Sequence, residues 1–433
     1  MISFLLMILA LGVMITIHEL GHFLVARAFG VGIEKFSIGF GAPIAEYEKN
    51  GIKYRIAWIP LGGYVKMKGE DPEDDSAEYV DPDELFSKKA WWKRAIIAFS
   101  GPFANLILGM LLFIIALMLP QKMEDISPVI FSAEGRWAEH FAPGDSLISV
   151  NGEETPGFNQ FLISVYEAEE SSIIYHRGEQ TLSLQVSAAE KDSLIRSLKP
   201  EVSTRIGEVF SGMPAWRAGL KPGDIVLEVD SVGVNNWYDM RTRIIGSPQG
   251  NVHLLLKRDE ETFSRQINLE ENIASDNGRM IGISQYLPIT QTVVYGPLEA
   301  VQMGVISTGN FIVMNYKGLF QLIKRPSQIR NNIGGPVLMA SMSSEMGKKG
   351  AGTLILFFGS ISLILMIMNL LPIPILDGGH IMFCIIEGII GRPVPIRVQA
   401  VLQRVGFMLL IALMIMAFYS DISKLIYRFI STR

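Results

Sequence analysis

The sequence predicts a multi-span α-helical membrane protein with four transmembrane helices, a membrane-associated β-hairpin and two extracytoplasmic α+β domains. Four segments are apolar enough and long enough to cross a bilayer, and they lie within 1–30, 95–119, 351–379 and 405–433. Residues 120–292 instead alternate short strand-like runs with turns. The composition agrees, because 49% hydrophobic residues is high for a soluble protein and 19% charged residues is high for spans alone.

Charge and cysteine content exclude two classes of protein. The formal net charge is −5 and no basic stripe is present, so the sequence predicts no nucleic-acid partner. The single cysteine, Cys384, excludes an internal disulfide. The first apolar segment has no Lys or Arg before its core and no small-x-small cleavage site, so we expect it to be retained as a span.

The distribution of Lys and Arg predicts the orientation in the membrane. The loop 31–94 is rich in both residues, and the loop 380–404 carries Arg392, Arg397 and Arg404. Positively charged loops stay in the cytoplasm, which places residues 120–350 on the opposite side. Lys424 and Arg428 argue mildly for the reverse orientation.

An alternating apolar pattern occurs within the loop 31–94. Apolar side chains recur at every second position, at Ile52, Tyr54, Ile56 and Trp58. Pro60 and the glycines at 62–63 interrupt the pattern, which resumes over 64–67. This predicts a β-hairpin over about 52–68, which either touches the membrane through its apolar residues or is a small cytoplasmic hairpin.

A repeated pattern predicts two domains in the soluble part. "GMPAWRAGLKPGDIVLEVDSVGV" (212–234) has the order helix, Pro-Gly-Asp turn, strand, turn, and "RWAEHFAPGDSLISVNGEE" (136–154) is a weaker copy. The two Pro-Gly-Asp turns are 79 residues apart. We therefore expect tandem domains at 120–204 and 205–292. Residues 293–350 follow as a linker with an apolar helix at 298–323, either on the membrane surface or as a further span.

The first span contains the pattern His-Glu-x-x-His at 18–22. Ionisable residues in hydrocarbon are costly unless they are paired or bind a metal. His18 and His22 share one helix face, so both imidazoles can bind one zinc ion, and Glu19 can act as general base on a zinc-bound water. A catalytic zinc site has three protein ligands and one open position, so a third ligand must come from elsewhere.

The third ligand is expected in "MNLLPIPILDGGH" (368–380) at the end of the third span. Pro372 and Pro374 must break that helix, and a broken backbone at membrane depth needs protein or a water-filled cavity around it. Asp377 follows the break and can offer a carboxylate oxygen to zinc. His140, His176 and His253 are weaker candidates because they lie in the soluble part.

These motifs together resemble those of a known family. Residues 18–22 and 369–379 are similar to the paired motifs of the site-2 protease family of intramembrane zinc metalloproteases, and the tandem domains resemble PDZ domains. The order of spans and domains resembles the bacterial, RseP-type members, which cut anti-sigma factors. "SIGFG" (37–41) with the following hairpin resembles the family's membrane-reentrant β-element, and "SGPFAN" (100–105) resembles its Gly-Pro…Asn pattern.

The resemblance implies an intramembrane zinc endopeptidase with one Zn²⁺ per chain. His18, His22 and Asp377 would be the zinc ligands and Glu19 the catalytic base, while Asn369, Pro372, Pro374 and the loop around them would hold the substrate. The implied substrate is a single-span membrane protein, an anti-sigma factor or possibly a remnant signal peptide, cut in or near its transmembrane segment during an envelope stress response. The implied location is the bacterial inner membrane, with the PDZ domains in the periplasm.

Two substrate-binding surfaces are expected beyond the metal. A helical substrate must unwind before cleavage, and an exposed strand edge can pair with the unwound segment, a role expected for Tyr54, Ile56 and Trp58. PDZ grooves bind extended peptides in the same way, and "GRMIGIS" (278–284), with Gly282 and Ile283, is expected to form the peptide-facing strand. Alternatively, the two domains exclude large substrates by size.

Two other functions compete with proteolysis. One is a catalytically silent PDZ scaffold in the membrane, which an intact Glu19 argues against because a structural zinc site needs no base. The other is a metal or proton transporter that uses the histidines and acids as a relay. The absence of inverted repeats argues against a transporter.

Overall fold

The computed structural model describes residues 2–70, 81–210, 212–247, 250–272, 278–324, 336–395, 397–408, 411, 412, 414 and 415. The helices are α1 (Ile2–Ala28), α2 (Trp91–Leu117), α3 (Phe158–Glu167), α4 (Lys191–Ser197), α5 (Pro214–Arg217), α6 (Trp237–Gly246), α7 (Pro297–Lys324), α8 (Pro336–Lys349), α9 (Ala351–Asn369) and α10 (Asp377–Ile390).

The strands are β1 (Ile33–Lys49), β2 (Ile52–Met67), β3 (Gln121–Glu124), β4 (Ile130–Ala133), β5 (Ser146–Val150), β6 (Glu153–Glu154), β7 (Ser171–Arg177), β8 (Gln180–Val186), β9 (Leu198–Pro200), β10 (Ile206–Val209), β11 (Ile225–Val229), β12 (Val232–Gly233), β13 (Asn251–Arg258), β14 (Glu261–Asn268), β15 (Glu270–Asn272), β16 (Gly278–Met280), β17 (Ile283–Gln285) and β18 (Ile289–Val293). The chain forms two compact units. The first, here called the membrane unit, comprises Met1–Gln121 and Val294–Asp421, and the second, the inserted unit, lies in Lys122–Val293.

Three helices of the membrane unit are long and apolar enough to span a bilayer. They are Leu5–Ala28 within α1, Trp91–Leu117, which is α2, and Ala351–Asn369, which is α9. They correspond to three of the four predicted spans, although α2 begins four residues before the predicted boundary at 95. The predicted fourth span, within 405–433, lies mostly outside the described residues.

The helix expected at 298–323 is present as α7 and packs against α2. Gly304 lies against Ile114, and the rings of Phe311 and Phe113 meet edge to face with centroids 6.0 Å apart. α7 is not among the described helices apolar enough to count as candidate spans. Its placement on the membrane surface stays a prediction.

The segment predicted as a cytoplasmic loop at 380–404 begins instead with a helix, so that prediction is wrong for its first part. α10 runs from Asp377 to Ile390 and ends at Gly391, whose φ of 74° is the left-handed conformation common after a helix C-terminus. Arg94 of α2 forms an ion pair with Glu387 of α10. The arginines predicted a loop, but the apolar run before them forms a helix that packs on α2.

β1 and β2 form a hairpin, but the hairpin predicted within 52–68 is wrong, because both of its halves belong to β2. The turn is Asn50–Gly51, with φ of 52° and 74°, as the tightest hairpin turns require. The sequence contains this Asn-Gly hairpin signal, whereas β2 continues through 60–63, where the alternating pattern is interrupted.

The sheet folds back on itself, which changes its strand order. Residues 33–38 pair with 63–67 on one side and with 53–56 on the other, while 43–49 pair with 52–57. The segment 33–38 therefore lies between the two halves of the predicted hairpin, 52–58 and 64–67. Gly39 and Gly41, with φ of 90° and 93°, allow the strand to bend between its two pairings.

The inserted unit contains two modules with the same topology. Module 1 has a four-stranded sheet in the order β6-β5-β7-β8, and module 2 has one in the order β12-β11-β13-β14. In each module a further pair of strands is added, β4 with β9 and β10 with β17. The predicted division at 204/205 falls between β9 and β10.

Candidate metal centre and active site

His18 and His22 lie one turn apart on α1 with their rings turned toward α2. Both are buried, and their Nε2 atoms are 3.3 Å apart. Gly21, between them in sequence, lets α1 approach α2 closely, since a Cβ there would lie 2.4 Å from the Ser100 carbonyl oxygen. The His-Glu-x-x-His spacing thus brings two imidazoles to one point beside a second helix.

Asp377 meets both histidines, as predicted for the third ligand. Its Oδ2 is 3.1 Å from His18 Nε2, and its Oδ1 is 3.4 Å from His22 Nε2. α9 ends at Asn369, the chain turns through the two prolines, and α10 starts at Asp377. Gly378 and Gly379 are required there, because a Cβ on either would lie 2.3 Å from a main-chain carbonyl oxygen of the preceding turn. The tight turn therefore fixes the position of the carboxylate.

The three donors fit a zinc ion. Ligand bonds of about 2.0–2.2 Å in tetrahedral geometry place ligand atoms about 3.3–3.6 Å apart. The observed separations of 3.1, 3.3 and 3.4 Å are near this spacing, with each imidazole facing a different oxygen of the Asp377 carboxylate. Gly101 of α2 keeps the space between the ring nitrogens open, since a Cβ there would lie 2.3 Å from His22 Nε2 and 2.8 Å from His18 Nε2. Three protein ligands leave the fourth position for water or substrate.

The second nitrogen of each imidazole faces α2. His22 Nδ1 is 2.7 Å from the Ile97 carbonyl oxygen, so it donates a hydrogen bond and leaves Nε2 with a free lone pair. His18 Nδ1 lies 3.3 Å from the side-chain amide of Asn105. α2 thus orients the two rings.

A cavity of about 200 Å³ adjoins the metal ligands. Its lining includes Glu19, which lies beside the ligands as the predicted base requires. The β2 segment 63–67 forms one wall, and a Cβ on Gly63 would lie 3.2 Å from Glu19 Cγ. The lining residues are His18, Glu19, His22, Tyr64, Val65, Met67, Glu70, Phe86, Ile97, Ala98, Ile375, Asp377 and His380.

Comparisons with known proteins assign the chain to a family. The model of peptidase family M50 matches residues 6–413. The chain belongs to peptidase family M50. The regulator of sigma-E protease RseP of Salmonella typhimurium is 33% identical over 96% of this chain and 98% of that protein, and that of Escherichia coli K12 is 34% identical over the same shares. Among solved structures, the PDZ domain of an SdrC-like protein from Listeria monocytogenes covers 20% of this chain and 90% of its own length, at 19% identity and a TM-score of 0.18.

Membership of family M50 makes the chain a membrane zinc metalloprotease. Zinc, when bound, would be held by the two histidines and Asp377. The Gly-x-x-x-Asn spacing of "SGPFAN" now has a structural meaning for the protease, because Gly101 leaves room for the ion and Asn105 contacts a ligand ring.

The predicted substrate residues of the hairpin do not line the cavity of this M50 protease. The Tyr54 ring packs near Phe23 and Phe36, at 6.2 and 6.3 Å. Ile56 and Trp58 are exposed, at 52% and 70%. The cavity is lined instead by Tyr64, Val65 and Met67. Sequence reasoning missed these three because strand order decides which segment faces the site, and alternation alone does not give strand order.

The other predicted substrate residues lie in two places. Asn369 is half-buried at the end of α9, and Pro372 and Pro374 form the turn before Asp377, where Ile375 is the turn residue that reaches the cavity. In module 2, Ile283 pairs with Val209 in the β10–β17 ladder. Gly282 has φ of 80°, and its carbonyl accepts a hydrogen bond from Phe210 N.

Proposed function

We propose that this M50 protease is an intramembrane endopeptidase that cleaves single-span membrane proteins in or near their transmembrane segment. The observation that carries the proposal is that His18, His22 and Asp377 meet close to zinc-ligand spacing. The two histidines lie on α1, which is a candidate span, and Asp377 follows the candidate span α9. The similarity to regulators of sigma-E protease supports a substrate that controls a sigma factor, and we assign an anti-sigma factor of an envelope stress response.

The chain's own residues account for the chemistry. Bound zinc would polarise the scissile carbonyl and acidify water. The Glu19 carboxylate accepts the proton of the attacking water and returns it to the departing amine. The Ile97 carbonyl oxygen holds the His22 ring in the orientation that ligation needs. Asn369, at the end of α9, is assigned to hold the substrate backbone or the developing oxyanion.

The substrate enters as an extended strand. We assign the pairing edge to β2 residues 63–67, because this segment pairs with 33–38 on one side and contributes to the cavity wall. Ile56 and Trp58 are exposed large apolar side chains, so we assign them to contact with lipid. Tyr54 supports the sheet through its ring contacts.

The inserted unit is assigned to peptide binding or size exclusion outside the cytoplasm. The Lys- and Arg-rich loop 31–94 favours a cytoplasmic location for that loop and a periplasmic one for the modules of an inner-membrane protein. We assign peptide binding to module 2, at Gly282 and Ile283, next to the β10–β17 ladder.

The test is cleavage of a single-span model substrate by the purified full-length protein in detergent. Glu19→Gln is expected to lower the rate by about 10²- to 10⁴-fold, because the general base is lost. Zinc content, measured by atomic absorption, should remain one ion per chain. The exposed Glu299→Gln on α7 is the matched control and should cleave like wild type. Wild-type cleavage by Glu19→Gln, or by zinc-free protein, would refute the proposal.

A further inference from the structure

Asn105 is a buried polar side chain beside the metal centre that the proposed mechanism does not yet use. It is 1% exposed within α2, and its Nδ2 lies 3.3 Å from His18 Nδ1. Its Oδ1 is buried and has no hydrogen-bond partner. A buried amide oxygen without a partner is unfavourable, so this arrangement needs an explanation.

His18 requires a hydrogen-bond acceptor at Nδ1 if it binds zinc. To bind metal through Nε2, a neutral imidazole must carry its proton on Nδ1, and that N–H requires an acceptor. His22 has such an acceptor in the Ile97 carbonyl oxygen. For His18, the group at Nδ1 is the Asn105 amide. An amide oxygen and an amide nitrogen occupy nearly the same space, so half a turn about χ2 exchanges their positions.

We propose that Asn105 is a positioning residue for the metal centre, with Oδ1 accepting a hydrogen bond from His18 Nδ1–H. This bond fixes the tautomer that directs the Nε2 lone pair at zinc, and it gives Oδ1 a partner while Nδ2 takes the position at which Oδ1 has none. The inference deepens the proposed function and rests on it, since it requires His18 to be a zinc ligand.

The spacing along α2 supports this role. Ile97, Gly101 and Asn105 are four residues apart, so they lie on one face of the helix. The first orients His22, the second leaves room for the ion, and the third contacts His18. The residues on this face of α2 therefore have the same one-turn spacing as the two histidines on α1. The main-chain oxygen of Asn105 also accepts a hydrogen bond from Ser362 Oγ at 2.8 Å, which ties this face to α9, the helix that leads to Asp377.

The competing explanation is that Asn105 only packs the helices together. Three variants of the full-length protein separate the two explanations. Asn105→Leu keeps a similar volume but cannot accept a hydrogen bond. Asn105→Asp retains an acceptor oxygen, as in the carboxylate–histidine–zinc arrangement of many zinc sites. Ser362→Ala is the control, because it removes the hydrogen bond to the Asn105 main chain and leaves the amide in place.

The measurement is Zn²⁺ affinity in detergent, by competition with a colorimetric chelator, together with thermal unfolding of the metal-free proteins. We expect Asn105→Leu to bind zinc about 10- to 100-fold more weakly, the range for loss of such a partner. Asn105→Asp and Ser362→Ala should bind close to wild type. Metal-free Asn105→Leu should be about as stable as metal-free wild type, because without the ion His18 can carry its proton on Nε2 beside Asp377 and needs no acceptor at Nδ1.

Several outcomes would overturn the inference. Wild-type zinc affinity in Asn105→Leu would do so, and so would an equal loss of affinity in Asn105→Asp, because an acceptor would then make no difference. A fall in metal-free stability that parallels the loss of affinity would assign Asn105 to packing. Failure of wild type itself to bind zinc would refute the proposed function, a result distinct from any effect of the variants.

Discussion

The two modules of the inserted unit share a sheet and a helix but differ in what lies beside that helix. In module 1 the segment between β8 and β9 is the helix α4, which packs on α3. Leu194 of α4 is fully buried in the module 1 core with Phe161 and Val165 of α3. In module 2 the described residues between β14 and β17 form the short strands β15 and β16.

The anchoring of this segment differs in the same way. In module 2, Arg279 of β16 donates a hydrogen bond to the Ser247 carbonyl oxygen, just past the C-terminus of α6. A cation is favourable there because unpaired carbonyl oxygens point outward at a helix end. The same segment is also held by the β15–β16 pairing and by Ile281, which is buried in the module 2 core. Both modules therefore pack their own chain beside this helix, with a helix in module 1 and a short strand in module 2.

The largest expected effect tests whether α4 belongs to the core of module 1. Leu194→Ala should lower the free energy of unfolding of module 1 by about 2–5 kcal/mol, because it leaves a cavity at a fully buried site. Hydrogen–deuterium exchange of the full-length protein would show the loss in β5, β7 and α3. The exposed Ile163→Ala on α3 is the control and should change stability by less than about 0.5 kcal/mol. Unchanged exchange in Leu194→Ala would show that α4 does not belong to the core of module 1, and this difference between the two modules would then not hold.

A smaller loss of stability is expected from changes in the Pro-Gly-Asp turn, which both modules contain. Asp145 and Asp224, the acids of the two Pro-Gly-Asp turns, are both buried. Asp145 accepts hydrogen bonds from Ala142 N and from Arg177, and Asp224 accepts them from Lys221 N and Arg258. Asp145→Asn and Asp224→Asn should each destabilise their own module by about 1.5–3 kcal/mol, the range for hydrogen bonds to a charged group.

Equal losses of stability in the two modules would show that the two aspartates have the same structural role. Exchange measured module by module in each variant gives both numbers, and each variant serves as control for the other. A loss confined to one of the two would show that the repeated turns have different structural roles despite matching hydrogen bonds.

Sequence alone predicted the parts of the molecule that rest on chemistry or on local pattern. His18, His22 and Asp377 were predictable because zinc accepts few ligand types and each of these residues is costly in a membrane without a partner. The repeated turns were predictable because their aspartates make the same local hydrogen bonds. Three of the four predicted spans, which followed from length and apolarity, correspond to candidate spans among the described helices.

The parts that were missed depend on contacts between distant segments. The fold-back that places 33–38 between the halves of β2 depends on pairings that no alternation pattern encodes, so the strand facing the cavity was misplaced. α10 was missed because its arginine-rich continuation resembled a loop, whereas its apolar face is buried against α2. In the sequence, Asn105 was singled out only by the family resemblance of "SGPFAN", because its contact with His18 joins two different helices.

The smallest expected effect concerns the start of α4 and its response to pH. Hydrogen bonds from the Ser187 hydroxyl and main-chain N–H lower the pKa of Glu190 from its ordinary 4.5 to about 2. A lowered pKa stabilises the folded form above about pH 4.5, and this stabilisation is lost as the pH falls toward 2. Exchange at 190–197, corrected for its intrinsic pH dependence, should therefore quicken below about pH 4.5 in wild type. Glu190→Gln should exchange faster at neutral pH and respond less to acid, while the exposed Glu153→Gln should follow wild type. An acid response of full size in Glu190→Gln would place the sensitivity elsewhere, and α4 would then be held by Leu194 and its neighbours alone.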